Sequence, residues 1–279
     1  MIIRRIAIIL VMTLAASTIL FLFLLRDKNY IKIHSIPLSE TRKFLVHLPE
    51  GYDSSTRRYP VLYMLDGGDV RIFSKDISRY SKAMTTLKNL DHSKYPEMIL
   101  IGIANTNRMR DMLPIIAEES GTGGEADKFL QFIENELIPH IDRNYRTTRH
   151  RTLYGMSDSG LFAVYAFLTA PDSFSAYIAS SPTLGRCSKL LAKKADELFE
   201  SRRTLEQFLY IIHCQKDSPY CSPAIPDFEA KLSLLQSIGL HWQVQLEDGA
   251  CHIPDSSLAK GLEYIWSEEE EMGGINQSR

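Results

Sequence analysis

A serine at the apex of a glycine-bounded turn is the feature of this sequence best suited to chemistry. Residues 151–154 predict a short strand, and residues 157–169 predict a helix. Between them, Gly155-Met156-Ser157-Asp158-Ser159-Gly160 predicts a tight turn. Such a turn holds a hydroxyl out beyond the sheet, where the first amides of the helix face a developing oxyanion. The segment therefore predicts a nucleophile elbow with Ser157 as the nucleophile.

A serine hydroxyl needs a general base, and one histidine stands in the expected place for it. Of the eight histidines, those that follow Ser157 are His213, His241 and His252. The chain order expected for this kind of elbow is serine, acid, histidine. His213 and His241 lie in or beside predicted strands and are interpreted as structural. His252 follows the last predicted strand in a glycine-containing loop, so it is the predicted base, with a solvated loop histidine as the alternative.

The base needs an acid to orient it, and Asp217 is the predicted one. It follows the strand predicted at residues 208–214 and precedes His252. A surface turn is the alternative, because the sequence Asp-Ser-Pro is also ordinary turn chemistry. Three further carboxylates remain as competitors: Asp227, Glu247 and Asp248.

An oxyanion hole requires two backbone N–H donors. One is the residue after the nucleophile, Asp158. The other is expected from the loop at residues 65–69, whose two glycines permit close backbone approach after the buried strand at residues 60–65. A simple turn is the alternative interpretation of that loop.

Predicted strands and helices alternate through the body of the chain, which indicates an α/β fold with a mostly parallel central sheet and helices on both faces. Nearly continuous apolar runs at residues 60–65 and 98–103 are typical of strands covered on both sides. Active sites in such sheets lie beyond the carboxyl ends of the strands, where Ser157, Asp217 and His252 all fall.

Composition restricts the classes of function. The chain has 279 residues, 44% of them hydrophobic, and a net charge of -2. It is long enough to bury one large hydrophobic core. It lacks the excess of basic residues that binding to a nucleic acid would require. No metal-ligand spacing is visible, and the glycine-rich segment at residues 121–124 lacks the lysine of a phosphate loop, so no cofactor is expected. The sequence specifies no oligomeric state.

The N-terminus differs in kind from the body. Residues 6–25 carry no charge, and a helix of that length spans roughly 30 Å, the hydrocarbon thickness of a bilayer. We therefore expect an N-terminal transmembrane helix as a membrane anchor at residues 1–28, with a cleaved signal peptide as the alternative. The catalytic domain is predicted at residues 29–267, on the periplasmic or extracytoplasmic side, and an acidic, flexible tail at residues 268–279.

Four cysteines, Cys187, Cys214, Cys221 and Cys251, all fall in the predicted catalytic domain. An even number is compatible with an oxidising compartment. A pairing of Cys214 with Cys221 would close a short loop and is the favoured one. Four unpaired thiols are the alternative.

Residues 31–266 resemble the esterase family of α/β-hydrolases that includes esterase D, the enterobactin-type siderophore esterases and the mycolyltransferases. The resemblance rests on the order of several segments: residues 59–67, 105–114, 129–139 and 144–147, the elbow, Ser180-Ser181-Pro182, and the Cys251-His252 loop. It is strongest to the siderophore-esterase-like branch. It implies an α/β-hydrolase fold, Ser157, His252 and Asp217 as the triad, and the amides of Gly68 and Asp158 as oxyanion donors.

The elbow departs from the family pattern, which is usually Gly-His-Ser-aromatic or aliphatic-Gly-Gly. Asp158 places a carboxylate beside the nucleophile, where it would oppose an oxyanion unless it turns away or pairs with a cation. Arg108 or Arg110 is the hypothesised cation. If the substrate is an anionic siderophore, Arg71, Arg108 and Arg110 are the predicted substrate-binding residues.

The function predicted is hydrolysis of a small-molecule carboxylic ester through an acyl-enzyme, in its sharper form the hydrolysis of siderophore-type esters. Two alternatives stay open. One is an acyltransferase of the same fold, and the other is a catalytically inactive protein that keeps the fold for binding.

Overall fold

A single mixed sheet runs through the protein, described here by a computed structural model that covers residues 30–68, 78–117, 121–249 and 252–273. The strands, in chain order, are β1 (Ile31–Ser35), β2 (Glu40–His47), β3 (Tyr59–Met64), β4 (Ile99–Ile103), β5 (Ile116–Ala117), β6 (Thr122–Gly123), β7 (Thr147–Met156), β8 (Ala176–Ser180), β9 (Phe208–Cys214) and β10 (His241–Glu247). Within these residues, eight strands form the main sheet in the order β1-β2-β4-β3-β7-β8-β9-β10, and β5 and β6 form a small hairpin.

The six strands from β4 to β10 in that order run parallel, while β1 and β2 pair antiparallel at one edge. The helices of the described residues are α1 (Ser78–Asn89), α2 (Arg108–Met112), α3 (Ala126–Phe132), α4 (Ile138–Asn144), α5 (Asp158–Thr169), α6 (Ser188–Ser201), α7 (Ile225–Gln236) and α8 (Ser257–Glu271). The predicted alternation of strands and helices, with a mostly parallel sheet, is therefore present.

The alternation of side chains along the central strands explains why helices cover both faces. In β3, Val61 and Tyr63 belong to the larger apolar cluster on one face, whereas Leu62 and Met64 belong to the cluster on the other face. Successive residues of a strand point to opposite sides, so a strand that is apolar throughout needs cover on both. Helix α5 packs in the larger cluster and is buried along almost its whole length.

Two helical segments affect how the chain is divided. Helix α3 continues through a π-helical turn (Ile133–Leu137) into α4, so residues 126–144 form one helical segment. The last helix, α8, extends to Glu271, and Glu269 is buried beside His150 with an Nε2–Oε1 distance of 2.8 Å. The tail boundary predicted at residue 268 thus falls inside this helix.

One part of the fold prediction is corrected. It placed a transmembrane helix ahead of the catalytic domain, but within the described ranges no helix has both the length and the apolar character to cross a bilayer. The described fold is therefore an α/β fold with a mixed eight-stranded sheet and no such helix among the described residues. Residues 6–25, on which the expectation rested, lie outside the described residues.

Candidate active site

Strand β7 delivers Ser157 to the edge of the sheet, and α5 begins at the next residue. The backbone of Ser157 has φ 60° and ψ −120°, a conformation that a non-glycine residue adopts only under strain. Close approach between strand and helix explains the glycine two residues earlier. A Cβ at Gly155 would lie 2.1 Å from the carbonyl oxygen of Ser159. The turn therefore has the geometry that the sequence predicts for a nucleophile elbow.

The structure brings the three residues of the predicted triad together. His252 Nε2 lies 3.0 Å from Ser157 Oγ, and His252 Nδ1 lies 2.9 Å from Asp217 Oδ1. With the Nδ1–H donated to the carboxylate, Nε2 presents its lone pair to the serine hydroxyl. The side chain of His252 is 48% exposed and that of Asp217 is fully buried. A hydroxyl, an imidazole and a carboxylate in this order can move a proton from a nucleophile to a leaving group.

Several donors hold the Asp217 carboxylate in place. The amides of Ser218 and Cys214 donate to it at 2.6 and 3.4 Å. Burial raises the pKa of Asp217, but hydrogen bonds from His252 and these two amides help to outweigh it and hold the pKa below the ordinary value. Burial, together with the Asp217 charge, raises the pKa of the nearby Cys221 thiol. The acid thus stays ionised while its neighbour stays protonated.

Ser181 and Cys221 are buried residues near the Asp217 carboxylate, and sequence reasoning missed both. Ser181 follows β8 with φ 45° and is fully buried. A polar pair at the end of a buried strand, Ser180-Ser181, was the available signal for it. Nothing in the spacing of Cys221 pointed to Asp217, because their approach depends on the course of one loop.

The competing histidines and carboxylates have other partners or lie in solvent. His213 Nδ1 faces Ser222 Oγ at 3.3 Å, and the ring of His241 packs against Phe208. Glu247 forms an ion pair with Lys260. The other two competing carboxylates are exposed: Asp227 and Asp248.

The two segments predicted to carry the oxyanion amides lie beside each other at the ends of β3 and β7. The Gly67 N–H donates to the Ile103 carbonyl at 3.0 Å, which leaves Gly68 as the candidate donor of that loop. A Cβ at Gly68 would lie 2.2 Å from the Cβ of Ala104, so only glycine allows this approach. Asp158 is the first residue of α5, whose leading amides have no partner inside the helix.

Two of the predicted substrate-binding arginines are occupied by carboxylates of the protein. Arg108 bonds to Asp66 and Asp158. Arg110 belongs to a second group, here called the β2–α2 cluster, which consists of Glu40, Arg42, Arg110 and Asp111. Both arginines thus pair with carboxylates of the protein, and their role in substrate binding stays a prediction. The third predicted residue, Arg71, lies outside the described residues.

The carboxylate of Asp158 is buried and forms ion pairs, so it does not face the site of the oxyanion as an uncompensated charge. Arg108 Nη1 lies 2.8 Å from Asp158 Oδ2, and Arg186 Nε lies 3.0 Å from Asp158 Oδ1. The Thr183 hydroxyl donates to the same carboxylate at 2.7 Å. We call Asp66, Arg108, Asp158 and Arg186 the elbow network. Of the two hypothesised cations the structure selects Arg108, and it adds Arg186, which sequence reasoning missed.

The cysteine pairing differs from the favoured prediction. Cys214 is disulfide-bonded, whereas Cys187 and Cys221 are free and buried. The pairing of Cys214 with Cys221 is therefore wrong. Within the described residues, no group of three or more His, Cys, Asp or Glu side chains is placed to hold a metal ion.

Comparison with protein families gives a match over most of the described chain. The family model "Esterase", described as "Putative esterase", matches residues 35–217, which is well over half of the sequence. The matched residues include the elbow and Asp217.

Individual proteins give the same result. The "Uncharacterized protein YbbA" of Bacillus subtilis (strain 168) is 30% identical over 141 residues, covering 48% of this chain and 53% of YbbA. The "Ferri-bacillibactin esterase BesA" of the same organism is 37% identical over 90 residues, covering 32% of this chain and 31% of BesA. The matches thus span about half of YbbA and about a third of BesA.

A solved structure extends the similarity to the whole fold. The IroE-like serine hydrolase from Shewanella oneidensis superposes with a TM-score of 0.71 at 29% sequence identity, covering 88% of this chain and 81% of that protein. The mixed eight-stranded sheet is accordingly of the α/β-hydrolase type.

Proposed function

This chain belongs to the esterase family in its siderophore-esterase-like branch, and we propose that it is a serine carboxylic-ester hydrolase that acts through an acyl-enzyme. The observation that carries the proposal is the unbroken series of contacts from Ser157 to His252 to Asp217, at 3.0 and 2.9 Å. The structural relative from Shewanella, named a serine hydrolase, supports the same nucleophile chemistry.

Acylation follows from the positions of the three side chains. Ser157 Oγ attacks the ester carbonyl carbon while its proton passes to His252 Nε2, and the carbonyl oxygen becomes an oxyanion facing the amides of Gly68 and Asp158. Collapse of this intermediate breaks the bond to the leaving alkoxide, which takes the proton from Nε2. Asp217 stays ionised and stabilises the imidazolium throughout. The product of this half is an ester of Ser157.

Deacylation repeats these steps with water. A water molecule gives its proton to His252 Nε2 as its oxygen attacks the acyl carbon, and the intermediate collapses with return of that proton to Ser157 Oγ. The imidazole is 48% exposed, so water can reach the base directly. This exposure favours hydrolysis over transfer to a second alcohol. The assembled triad likewise favours an enzyme over an inactive binding protein.

For the substrate we propose esters of the siderophore class. The support is the name of BesA, a ferri-bacillibactin esterase that matches part of this chain. Incubation of the full chain with a cyclic trilactone siderophore, followed by mass spectrometry, should show opening of the ring with addition of one water per ester. If simple esters are cleaved and the trilactone is not, the substrate proposal fails while the hydrolase proposal stands.

An extracytoplasmic location stays a prediction. The disulfide bond of Cys214 fits an oxidising compartment. Fractionation of cells that produce the full chain, with immunodetection, would test it.

Replacement of Ser157 is the test of the hydrolase proposal. Ser157→Ala removes the attacking oxygen, so turnover of a p-nitrophenyl ester should fall to the background, on the order of 10⁵-fold or more. The full chain should also react with a fluorophosphonate probe, and the Ser157→Ala variant should not. Ser233→Ala, which removes an exposed helix hydroxyl bonded to the Glu229 carbonyl, is the matched control and should keep full activity. Equal activity in wild type and Ser157→Ala would overturn the assignment.

A further inference from the structure

The two predicted oxyanion donors come from segments far apart in the sequence. Gly68 lies in the loop after β3, and Asp158 lies at the start of α5 after β7. Backbone pairing aligns the strands themselves, as in the Leu65 N–H bond to the Tyr154 carbonyl at 2.9 Å. Beyond the strand ends the backbone ties each segment to a different strand, Gly67 N–H to the Ile103 carbonyl at 3.0 Å and Ser157 N–H to the Ser180 carbonyl at 2.9 Å. A side chain that bonds to both segments can therefore adjust the separation of their amides.

Arg108 bridges these two segments from a third one, the start of α2. Its Nε and Nη2 lie 2.9 and 3.0 Å from the two oxygens of Asp66, a bidentate pair directly before the Gly67-Gly68 loop. Its Nη1 donates to Asp158 at 2.8 Å, and Nη2 also donates to the Met156 carbonyl at 3.2 Å. One planar guanidinium is thus bonded to both sides of the oxyanion site.

The residues by which this elbow departs from its family's usual pattern take part in the same network. Asp158 accepts from Arg108, and Ser159 Oγ lies 2.8 Å from Asp66 Oδ2 and accepts from the Met156 N–H at 2.8 Å. Of the three departures, at Met156, Asp158 and Ser159, the last two therefore tie the elbow to the segment that carries Asp66 and the Gly67-Gly68 loop. Asn105 adds a further bond to Asp66 at 2.6 Å.

Charge in the network is balanced although its carboxylates are buried. Asp66 and Asp158 are both 6% exposed, and they face Arg108 and Arg186, with Arg79 Nη1 at a longer 3.8 Å from Asp66 Oδ2. Burial raises the pKa of Asp66, but the charge and hydrogen bonds of Arg108, with bonds from Asn105 and Ser159, more than offset it and keep the pKa low. The cations thus offset the repulsion that Asp158 alone would exert on an oxyanion.

We propose that Arg108 is a positioning residue that holds the Gly68 and Asp158 amides at the separation an oxyanion requires. The inference rests on the proposed hydrolase function and deepens it. Four of the five N–H groups of a guanidinium are used by Asp66, Asp158 and Met156. A role as the clamp for an anionic substrate would require those bonds to break.

Kinetics of Arg108→Gln test this role. Since loss of one oxyanion donor costs about 10²–10³-fold in kcat, displacement of donors that remain present should cost about 10- to 100-fold. KM for an uncharged p-nitrophenyl ester should stay within about threefold, because the loss is confined to the transition state. Arg108→Lys keeps the charge without the bidentate fork and should recover only part of the rate.

A substrate change separates positioning of the oxyanion from a general structural effect. A thionoester places sulfur where the oxyanion would form, and sulfur is a weaker acceptor for the two amides. Wild type should therefore prefer the oxygen ester strongly, and Arg108→Gln should reduce this preference by the same factor by which it lowers kcat. The matched control is Arg151→Gln, which removes a partly buried arginine paired with Asp142 at 2.6 Å and should leave the preference unchanged.

A second variant covers the case in which Arg108→Gln does not fold. Asp158→Asn keeps the shape of the side chain and should lower both kcat and the oxygen-to-sulfur preference in the same direction, by a smaller factor. Activity and preference that match wild type in a folded Arg108→Gln or Asp158→Asn variant would overturn the inference and leave the hydrolase proposal intact. A wild-type chain without esterase activity, unlabelled at Ser157, would overturn both.

Discussion

Helix α2 carries two ion-pair groups of similar composition, and their placement separates them. The elbow network and the β2–α2 cluster each contain two arginines and two carboxylates. The first bonds to the segments on both sides of Ser157. The second joins β2 to α2 and, through an Arg110–Glu125 pair at 3.4 Å, reaches the start of α3. Similar chemistry thus borders the proposed reacting atoms in one place and joins a helix to its neighbours in the other.

Burial sharpens the contrast. Arg42 is fully buried, lies 2.6 Å from the equally buried Asp111 and stacks on the Phe129 ring at 4.9 Å. Arg108 is 30% exposed at the mouth of the site. A buried ion pair is costly to break because the remaining charge has no solvent. Asp66 and Asp158 are also buried, but their shared partner Arg108 is in contact with solvent.

The largest expected effect on stability is in the β2–α2 cluster. Arg42→Gln should lower the free energy of unfolding by about 3 kcal/mol, because the buried Asp111 keeps only Arg110 as a cation and Phe129 loses its stacked guanidinium. Urea unfolding measures this, and kcat of the folded variant should stay within about twofold of wild type. The matched control is Arg57→Gln, whose exposed pair with Glu97 should be worth less than about 1 kcal/mol. A loss of kcat without a loss of stability in Arg42→Gln would erase the distinction between the two groups.

A second expected effect is confined to acid pH and belongs to the elbow network. The folded pKa of Asp66 is held below its ordinary value of 3.8. Its contribution to stability is therefore present above that value and is lost as the pH falls through the lower folded pKa. Asp66→Asn has no such titration, so its melting temperature should fall less steeply than that of wild type below pH 3.8. Parallel curves for the two proteins would contradict the assigned pairing.

The smallest expected effect concerns Ser159. Ser159→Gly restores the glycine usual at this place in the family and removes one tie between the elbow and Asp66. A single hydrogen bond of about 0.5–1 kcal/mol corresponds to a two- to fivefold lower kcat. Initial rates with the p-nitrophenyl ester measure it, and Ser159→Ala should behave alike. A Ser159→Gly variant with a higher kcat than wild type would show that the Ser159 hydroxyl does not support turnover.

Local pattern was enough to predict the elements that place the triad. The glycines around Ser157 and the order of Asp217 and His252 along the chain can be recognised from a few residues. The structure brings Ser157, Asp217 and His252 together. The predicted strand at residues 208–214 has the observed bounds of β9. Their catalytic roles stay a proposal until the variants are measured.

The supporting residues could not be predicted in the same way, because their contacts depend on loops. Arg186 reaches Asp158 only through the turn after β8, where Ser181 has a positive φ. Asp66 was within a predicted turn, but its partners Arg108 and Ser159 come from two other elements. The pairing of Cys214 with Cys221 was predicted because it would close a short loop. That prediction failed because proximity in sequence does not specify the geometry of a disulfide.

The free thiol of Cys221 lies near Asp217 and can report on the charge of that carboxylate without an added label. Cys221 is buried close enough to Asp217 for the carboxylate charge to raise the pKa of the thiol, and the S–H stretching band of a cysteine lies in a region of the infrared spectrum with little other protein absorption. A change in the charge of that carboxylate should shift and broaden the band, and a Cys221→Ala spectrum would assign it. Vibrational spectroscopy during turnover could thus check that the carboxylate keeps its charge as each bond is made and broken.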